Sequence, residues 1–452
     1  MPLRPRTAAW VGYVCGIVFF AFDYSWLGET AGALLGPFAF ILDIGPALLE
    51  GLAFAVTAAV VAWAAQNLRI GWVPVLAAAA FTVAEWLRSS GVFGFPMYQI
   101  GTPFIETPLA PLAAFAGIYG LTFAIACLAA GFAVFLLERN RNSALVLAAC
   151  VIGVVLVTSG AWLAWPARIV GPATTRVAAV QANITQSLKW EPEALLLAVN
   201  RYTSMTAPLA AFKPQIVVWP ETVITTLRGL NAEPALEARF ASLAAHVGAM
   251  LVVGSIERSD DRVYNDLFFF DRTGALVHTY RKRQLVPFAE YLPGPRALRS
   301  LPFGNLPADF GIGTEQTVVP PLGIAPLICW ESAFSDLAQV QAANGARIFV
   351  ISTDDAWFGA SDGPYVHAQI ASLRAVETGR WIVRAGATGI SGVIAPDGTW
   401  RSRGGLQTQE VITGTVGDPQ PTAYSRFGPH PVGVAFTLLA AIGCFAGRRR
   451  SA

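Results

Sequence analysis

The chain has 452 residues, of which 54% are hydrophobic and only 13% charged. An average soluble domain is about 25% charged, so these values exclude a wholly soluble protein, and the apolar content excludes a disordered one. A net charge of +2 is too balanced for a nucleic-acid binder, and five cysteines in this length exclude a disulfide scaffold.

Long apolar runs fill the first third: Ala8 to Leu27, Pro46 to Ala65, Gly71 to Leu87, Leu109 to Leu137 and Ser143 to Trp165. Each approaches or exceeds the roughly 20 residues that cross a bilayer. The fourth is long enough to require tilt or protrusion. A shorter run, Ala31 to Gly45, contains Asp43 and reads as a re-entrant or interfacial segment. The start lacks a clear small-residue cleavage site, so it reads as a span and not as a cleaved signal.

From Ala167 to Gly428 charges recur regularly, and a last apolar run, Pro431 to Gly447, precedes Arg448, Arg449 and Arg450. The expected organisation is a bundle of about five spans over 1–166, a catalytic domain over 167–428, and a C-terminal span with a basic tail over 429–452. Arg4, Arg6, Arg69, Arg139, Arg141 and the terminal triplet assign their ends to the cytoplasm by the positive-inside rule. Five spans then leave the middle domain outside, and a sixth returns the chain.

That domain alternates strand and helix patterns. Strands are predicted at Arg176–Asn183, Gln215–Trp219, Met250–Ile256, Leu267–Phe270, Ala275–Tyr280, Ile324–Cys329, Arg347–Ser352 and Trp381–Ala385. Helices are predicted at Glu191–Phe212, Pro234–Val247, Ala333–Ala343 and Val366–Thr378. The order suits a mixed sheet with helices packed on it.

Two polar residues close apolar runs, and a third stands just before one. Cys329 ends Ile324-Ala-Pro-Leu-Ile, the only cysteine outside the strongly apolar segments. At a strand-to-helix junction it is either a small core residue or a thiol over helix N-terminal amides, which favour the reactive thiolate. Glu221 follows Ile216-Val-Val-Trp-Pro220 and is either an exposed loop acid or a partly desolvated general base. Lys282 lies in Tyr280-Arg-Lys-Arg, either a solvated basic edge or, given the apolar Leu285-Val-Pro-Phe that follows, an oxyanion partner. His246, His278, His367 and His430 have no metal-ligand spacing, and a Cys–His pair using His367 has nothing specific behind it. No phosphate loop or Gly-x-Ser-x-Gly elbow is present, and no metal or cofactor is expected.

Trp219-Pro-Glu221, Tyr280-Arg-Lys282 with Leu285-Val-Pro-Phe-Ala-Glu290-Tyr, and Cys329-Trp-Glu331 resemble the Glu–Lys–Cys triad motifs of the nitrilase superfamily. The flanks narrow the resemblance to apolipoprotein N-acyltransferases: Val180-Gln-Ala-Asn183 with Lys189-Trp190, Asp355-Ala-Trp357-Phe-Gly359, Arg374-Ala-Val-Glu377, Glu85-Trp-Leu-Arg88 and Gly94-Phe-Pro96. The resemblance implies a nitrilase-like α-β-β-α sandwich between an N-terminal multi-span helical bundle and a single C-terminal transmembrane helix. It also implies an inner-membrane enzyme whose catalytic domain faces the periplasm.

By carry-over Cys329 is the nucleophile, Glu221 the acid–base and Lys282 the oxyanion partner. Glu290 and Glu331 support them, and Trp357 lines the acyl site. The implied partners are a phospholipid acyl donor, a lipoprotein acceptor and the membrane, with no nucleic acid contacted. The apolar, Gly- and Pro-interrupted segment after Arg88 reads either as an interfacial loop or as the lipid's way in. In the second case Arg88 meets a headgroup and Phe95 lines the acyl path. Asp354 and Ala387 stand where the family pattern has asparagine. Two alternatives accompany the resemblance: a shortened branch among conjugal transfer proteins of the TraB type, with another acceptor, and a membrane-tethered carbon–nitrogen hydrolase.

Overall fold

The computed structural model describes residues 3–28, 40–91, 94–189, 193–226, 229–259, 262–287, 289–291, 309–359 and 361–448. The chain forms two compact units, Met1–Arg168 with Thr422–Ala452, and Ile169–Pro421.

The first unit is helical: α1 (Pro5–Asp23), α2 (Phe40–Asn67), α3 (Val73–Arg88), α4 (Ala113–Glu138) and α5 (Arg141–Ala164) come from the N-terminal part, and a helix over Pro429–Ala446 comes from the C-terminal end. Among the described residues, six helices are long and apolar enough to cross a membrane. Phe22, Leu137, Leu163 and Phe445 are each more than two-thirds exposed, as on a surface solvated by lipid instead of water. Of the run expected to be re-entrant, residues 31–39 lie outside the described residues. Phe40 to Gly45 are continuous with α2, which passes through Pro46. A cap is legible at α5, where Asn140 and Ser143 exchange side-chain-to-backbone bonds.

α4 is interrupted at Gly117, whose φ of +61° and ψ of −161° break the helix. A Cβ there would lie 2.5 Å from the Tyr424 ring. Tyr424 is fully buried, so glycine makes a notch that the tyrosine fills.

The second unit contains two sheets. The six-stranded sheet runs β11-β1-β2-β3-β4-β5 and the five-stranded sheet runs β10-β9-β8-β7-β6. The strands are β1 (Ala173–Gln181), β2 (Ile216–Val218), β3 (Met250–Ser259), β4 (Arg262–Phe270), β5 (Leu276–Arg281), β6 (Ile324–Ile328), β7 (Ile348–Thr353), β8 (Trp381–Gly386), β9 (Gly392–Ile394), β10 (Trp400–Arg403) and β11 (Glu410–Gly417). β1-β2-β3 and β6-β7-β8 are parallel. The remaining pairs are antiparallel.

Alternate residues build separate cores. Val177, Ile216, Val218, Val252 and Phe269 meet Ile328, Val350 and Val383 between the sheets. Val217, Trp219, Leu251 and Phe268 face α6 (Ala194–Thr206) and α7 (Pro234–Val247). Leu327, Phe349 and Ile351 face α8 (Ser335–Ala343) and α9 (Gly363–Thr378). Strands buried on both faces read as continuous apolar runs, and helices on the outer faces give the expected α-β-β-α sandwich. α7 begins with proline in its first turn and ends at Gly248 with φ of +70°, the usual asymmetry of start and stop. The C-terminal helix is labelled α10 below.

Candidate active site

Glu221, Cys329 and Asp354 each follow the C-terminal end of a parallel strand: β2, β6 and β7 respectively. Such ends form the crevice where open α/β sheets bind ligands. Lys282 follows β5 directly.

Glu221 is placed by its neighbours. Trp219 is fully buried, its indole N–H donates to Thr206 Oγ1 at 3.0 Å, and its carbonyl accepts from Ser352 Oγ at 2.8 Å. Pro220 then ends the ladder. Gly254 on β3 permits the close pass, since a Cβ there would lie 2.2 Å from the Pro220 carbonyl. Glu221 Oε1 accepts from Lys282 Nζ at 3.0 Å and Asn265 Nδ2 at 2.7 Å, and Oε2 accepts from the Asp354 amide at 2.9 Å. Burial alone would raise this carboxyl. The charge of Lys282, the Asn265 bond and the charge of Lys189 outweigh it and hold Glu221 below the usual value.

Lys282 is 1% exposed. Its amide donates to the Asn265 carbonyl at 2.8 Å, and its ammonium bridges Glu221 Oε1 and Glu290 Oε1 at 3.0 Å each. Burial would depress it, but Glu221, Glu290 and Cys329 together raise it, so it remains a cation. Glu290 also accepts from Asn265 at 2.9 Å and from the Val286 amide at 2.8 Å. Glu331 does not join this cluster. It accepts from Tyr280 Oη at 3.0 Å, from the Arg283 amide at 2.6 Å and from the Ile328 amide at 2.7 Å. It thus ties the segment after Lys282 to the strand before Cys329. Burial raises its carboxyl despite these bonds.

Cys329 is half-buried and adopts φ of +48°, a conformation disfavoured for any residue but glycine. The sequence suggested helix amides that favour the thiolate. The structure corrects this: Cys329 opens a five-residue 3-10 turn, Cys329–Ala333, and α8 starts only at Ser335. Burial, and then the charge of Glu221, push the thiol well above its ordinary value. Lys282 and a Thr353 hydrogen bond oppose them incompletely. The group is therefore held as a protonated thiol.

Two further networks flank the cluster. Lys189, nearly buried, bonds Asp354 Oδ2 and Thr222 Oγ1 and reaches the Glu221 carbonyl at 3.3 Å. Asp354, where the family pattern has asparagine, thus gains a cationic partner. On the other side His367 places Nδ1 2.9 Å from Asp355 Oδ1 and Nε2 2.8 Å from Ser332 Oγ, with the Cys329 carbonyl 3.2 Å away. The histidine therefore faces the Cys329 carbonyl. Arg384 closes this network at 2.8 Å from Asp355 Oδ2.

Of the residues expected from the sequence, Glu221, Lys282, Glu290 and Cys329 come together, and Glu331 braces them. Trp357 is half-buried on the short turn that carries Asp355. Arg88 and Phe95 belong to the helical unit. Arg88 does not present a free guanidinium: it bonds Glu85 at 2.8 Å, Glu50 at 3.0 Å and the Phe95 carbonyl at 2.8 Å, with the Phe20 ring 4.9 Å away. These bonds tie Arg88 to the segment that follows its own helix. Phe95 is half-buried against Tyr24, with ring centroids 4.9 Å apart. Sequence reasoning missed Asn265, Lys189 and the His367 network.

Comparisons with known proteins follow the same division. Residues 2–131 match the model of the apolipoprotein N-acyltransferase N-terminal domain, and residues 176–421 match that of the carbon–nitrogen hydrolases. An apolipoprotein N-acyltransferase of Azotobacter vinelandii is 35% identical over 457 residues, covering 96% of this chain and 86% of that protein. One from Caulobacter vibrioides is 35% identical over 468 residues, covering 96% and 85%. Among solved structures, an amidase from Nesterenkonia sp. AN1 aligns at TM-score 0.44 and 17% identity, covering 58% of this chain and 100% of the amidase. A nitrilase-superfamily protein of Saccharomyces cerevisiae aligns at 0.43 and 19%, covering 55% and 92%. With six apolar helices among the described residues and a carbon–nitrogen hydrolase unit between the last two of them, the chain is a multi-pass inner-membrane acyltransferase and belongs to the apolipoprotein N-acyltransferase family.

Proposed function

We propose that the chain moves a fatty acyl group from a phospholipid to the α-amine of a lipoprotein's diacylglyceryl-cysteine, through a thioester on Cys329. Glu221 takes the thiol proton as Sγ attacks the ester carbonyl carbon. Lys282 stabilises the resulting oxyanion. The intermediate collapses by breaking the bond to the glycerol oxygen, which leaves with the proton from Glu221 as lysophospholipid. The acceptor amine then attacks the thioester and gives its proton to Glu221. The carbon–sulfur bond breaks, the sulfur regains a proton, and an amide is released. Splitting one transfer into two covalent half-reactions is nucleophilic catalysis. The two lipid substrates account for the six apolar helices.

The observation that carries the reading is the buried Glu221–Lys282 pair at 3.0 Å beside a cysteine on which both charges act. Protein purified from membranes is expected to carry an acyl chain on Cys329 that hydroxylamine removes, detected by mass spectrometry. Cys329→Ala is expected to lack it. Glu221→Gln and Lys282→Met are each expected to lose at least about 10³-fold in turnover, with the double variant no slower than the worse single one, as for groups that act as a unit. Activity retained by Cys329→Ala would exclude the mechanism.

A further inference from the structure

We infer that Ser332, His367 and Asp355 form a positioning unit that aims the backbone amide after the nucleophile. The inference rests on the thioester reading of Cys329. All three residues are nearly or fully inaccessible, at 0%, 2% and 1%. Asp355 is held well below the usual carboxylate range, because Arg384 and His367 overcome its burial. It therefore only accepts, and the His367 Nδ1 faces it at 2.9 Å, with an Arg384 nitrogen 3.2 Å from the same ring atom. Thr353 Oγ1 donates to the same carboxylate oxygen at 2.8 Å, so the imidazole's orientation is fixed from several sides. Its other edge holds Ser332. The serine hydroxyl lies 2.7 Å from the Cys329 carbonyl and 2.8 Å from Nε2, and either acceptor keeps the oxygen in place.

What this fixes is a peptide plane. The bond joining Cys329 to Trp330 is planar and trans, so its carbonyl and its N–H point in opposite directions. With the carbonyl held by the Ser332 hydroxyl, the Trp330 N–H is directed away from it. An amide one residue after a nucleophile is suitably placed to receive the oxyanion that forms on the attacked carbonyl. The positive φ of Cys329 makes the restraint necessary, since an unrestrained cysteine would relax out of that conformation. Ser332, His367 and Asp355 touch no reacting atom and transfer no proton. They act through the peptide.

The test separates a reaction that develops an oxyanion from one that does not. Acylation of Cys329 by a phospholipid is compared with its alkylation by iodoacetamide, a displacement at saturated carbon, in full-length protein in detergent. Ser332→Ala and His367→Leu are expected to slow acylation about 10- to 100-fold, the range set by an imperfectly aimed oxyanion donor, while alkylation changes less than about twofold. His367→Gln, whose amide group can still hydrogen-bond Ser332, is expected to recover most of the loss. Equal losses in both reactions would overturn the inference, because the whole elbow would then have moved. Unchanged acylation in both variants would overturn it as well. Failure of the wild-type protein to form any thioester would instead refute the reading on which the inference rests.

Discussion

Cys329 and Glu221 are mismatched in the resting site: the thiol is held high and the carboxylate low. Thiolate therefore accumulates only at alkaline pH, and alkylation of Cys329 by iodoacetamide is expected to keep rising through pH 9. A plateau near pH 7 would contradict the structure. Asn265→Ala removes one of the donors that hold Glu221 down. The acid limb of the pH–rate profile for acyl transfer is then expected to move to higher pH, because a carboxyl with a raised value protonates sooner as pH falls. A superimposable profile would exclude that part of Asn265. Glu221, Cys329 and Lys282 are legible in the sequence because the first two close apolar runs and the third precedes one, where a polar group has a definite place. Asn265 and Lys189 are not, because they reach Glu221 from other elements and only the fold creates the contact. Cys329 was half legible: its position at the strand end was, its 3-10 turn and unfavourable φ were not.

At the scale of elements, long runs decide what can be read. α7 has proline at its start, glycine at its end and apolar residues on one face, and both its boundaries are as expected from the pattern. β9, β10 and β11 were not expected. β9 has three residues, β10 reads Trp-Arg-Ser-Arg with half its positions exposed, and β11 is rich in threonine and glycine. Each is held by its partners, β11 by eight register pairs along β1. Phe240 of α7 is fully buried against Trp219 and Phe270, at 5.4 and 6.2 Å between ring centroids. Phe240→Ala is expected to cost about 3–5 kcal/mol, as for other buried phenylalanines, measured as lost denaturant resistance of the catalytic unit. In the helical unit, Arg88→Ala would leave Glu50 and Glu85 buried without their cation. The expected loss is about 3–5 kcal/mol, read as a lower thermal midpoint in detergent, and Arg88→Lys is expected to recover little because it lacks the planar fork.

For the whole molecule, we propose from the arginine flanks and the parity of five spans plus one that the catalytic unit faces the periplasm. Alkaline phosphatase fused after Ala167 is expected to be active, and fused at Arg141 inactive. The reverse pattern would leave a periplasmic lipoprotein out of reach. The notch at Gly117 also has a consequence for the order of synthesis. The ribosome makes α4 early, but Tyr424, which fills the gap in it, emerges only after residues 169–421 have been completed. Until then the nascent membrane unit holds an unfilled break in a spanning helix and lacks α10. A chain interrupted at Pro421 would keep Glu221, Lys282 and Cys329 and still be an unfinished membrane protein, open to quality-control proteolysis.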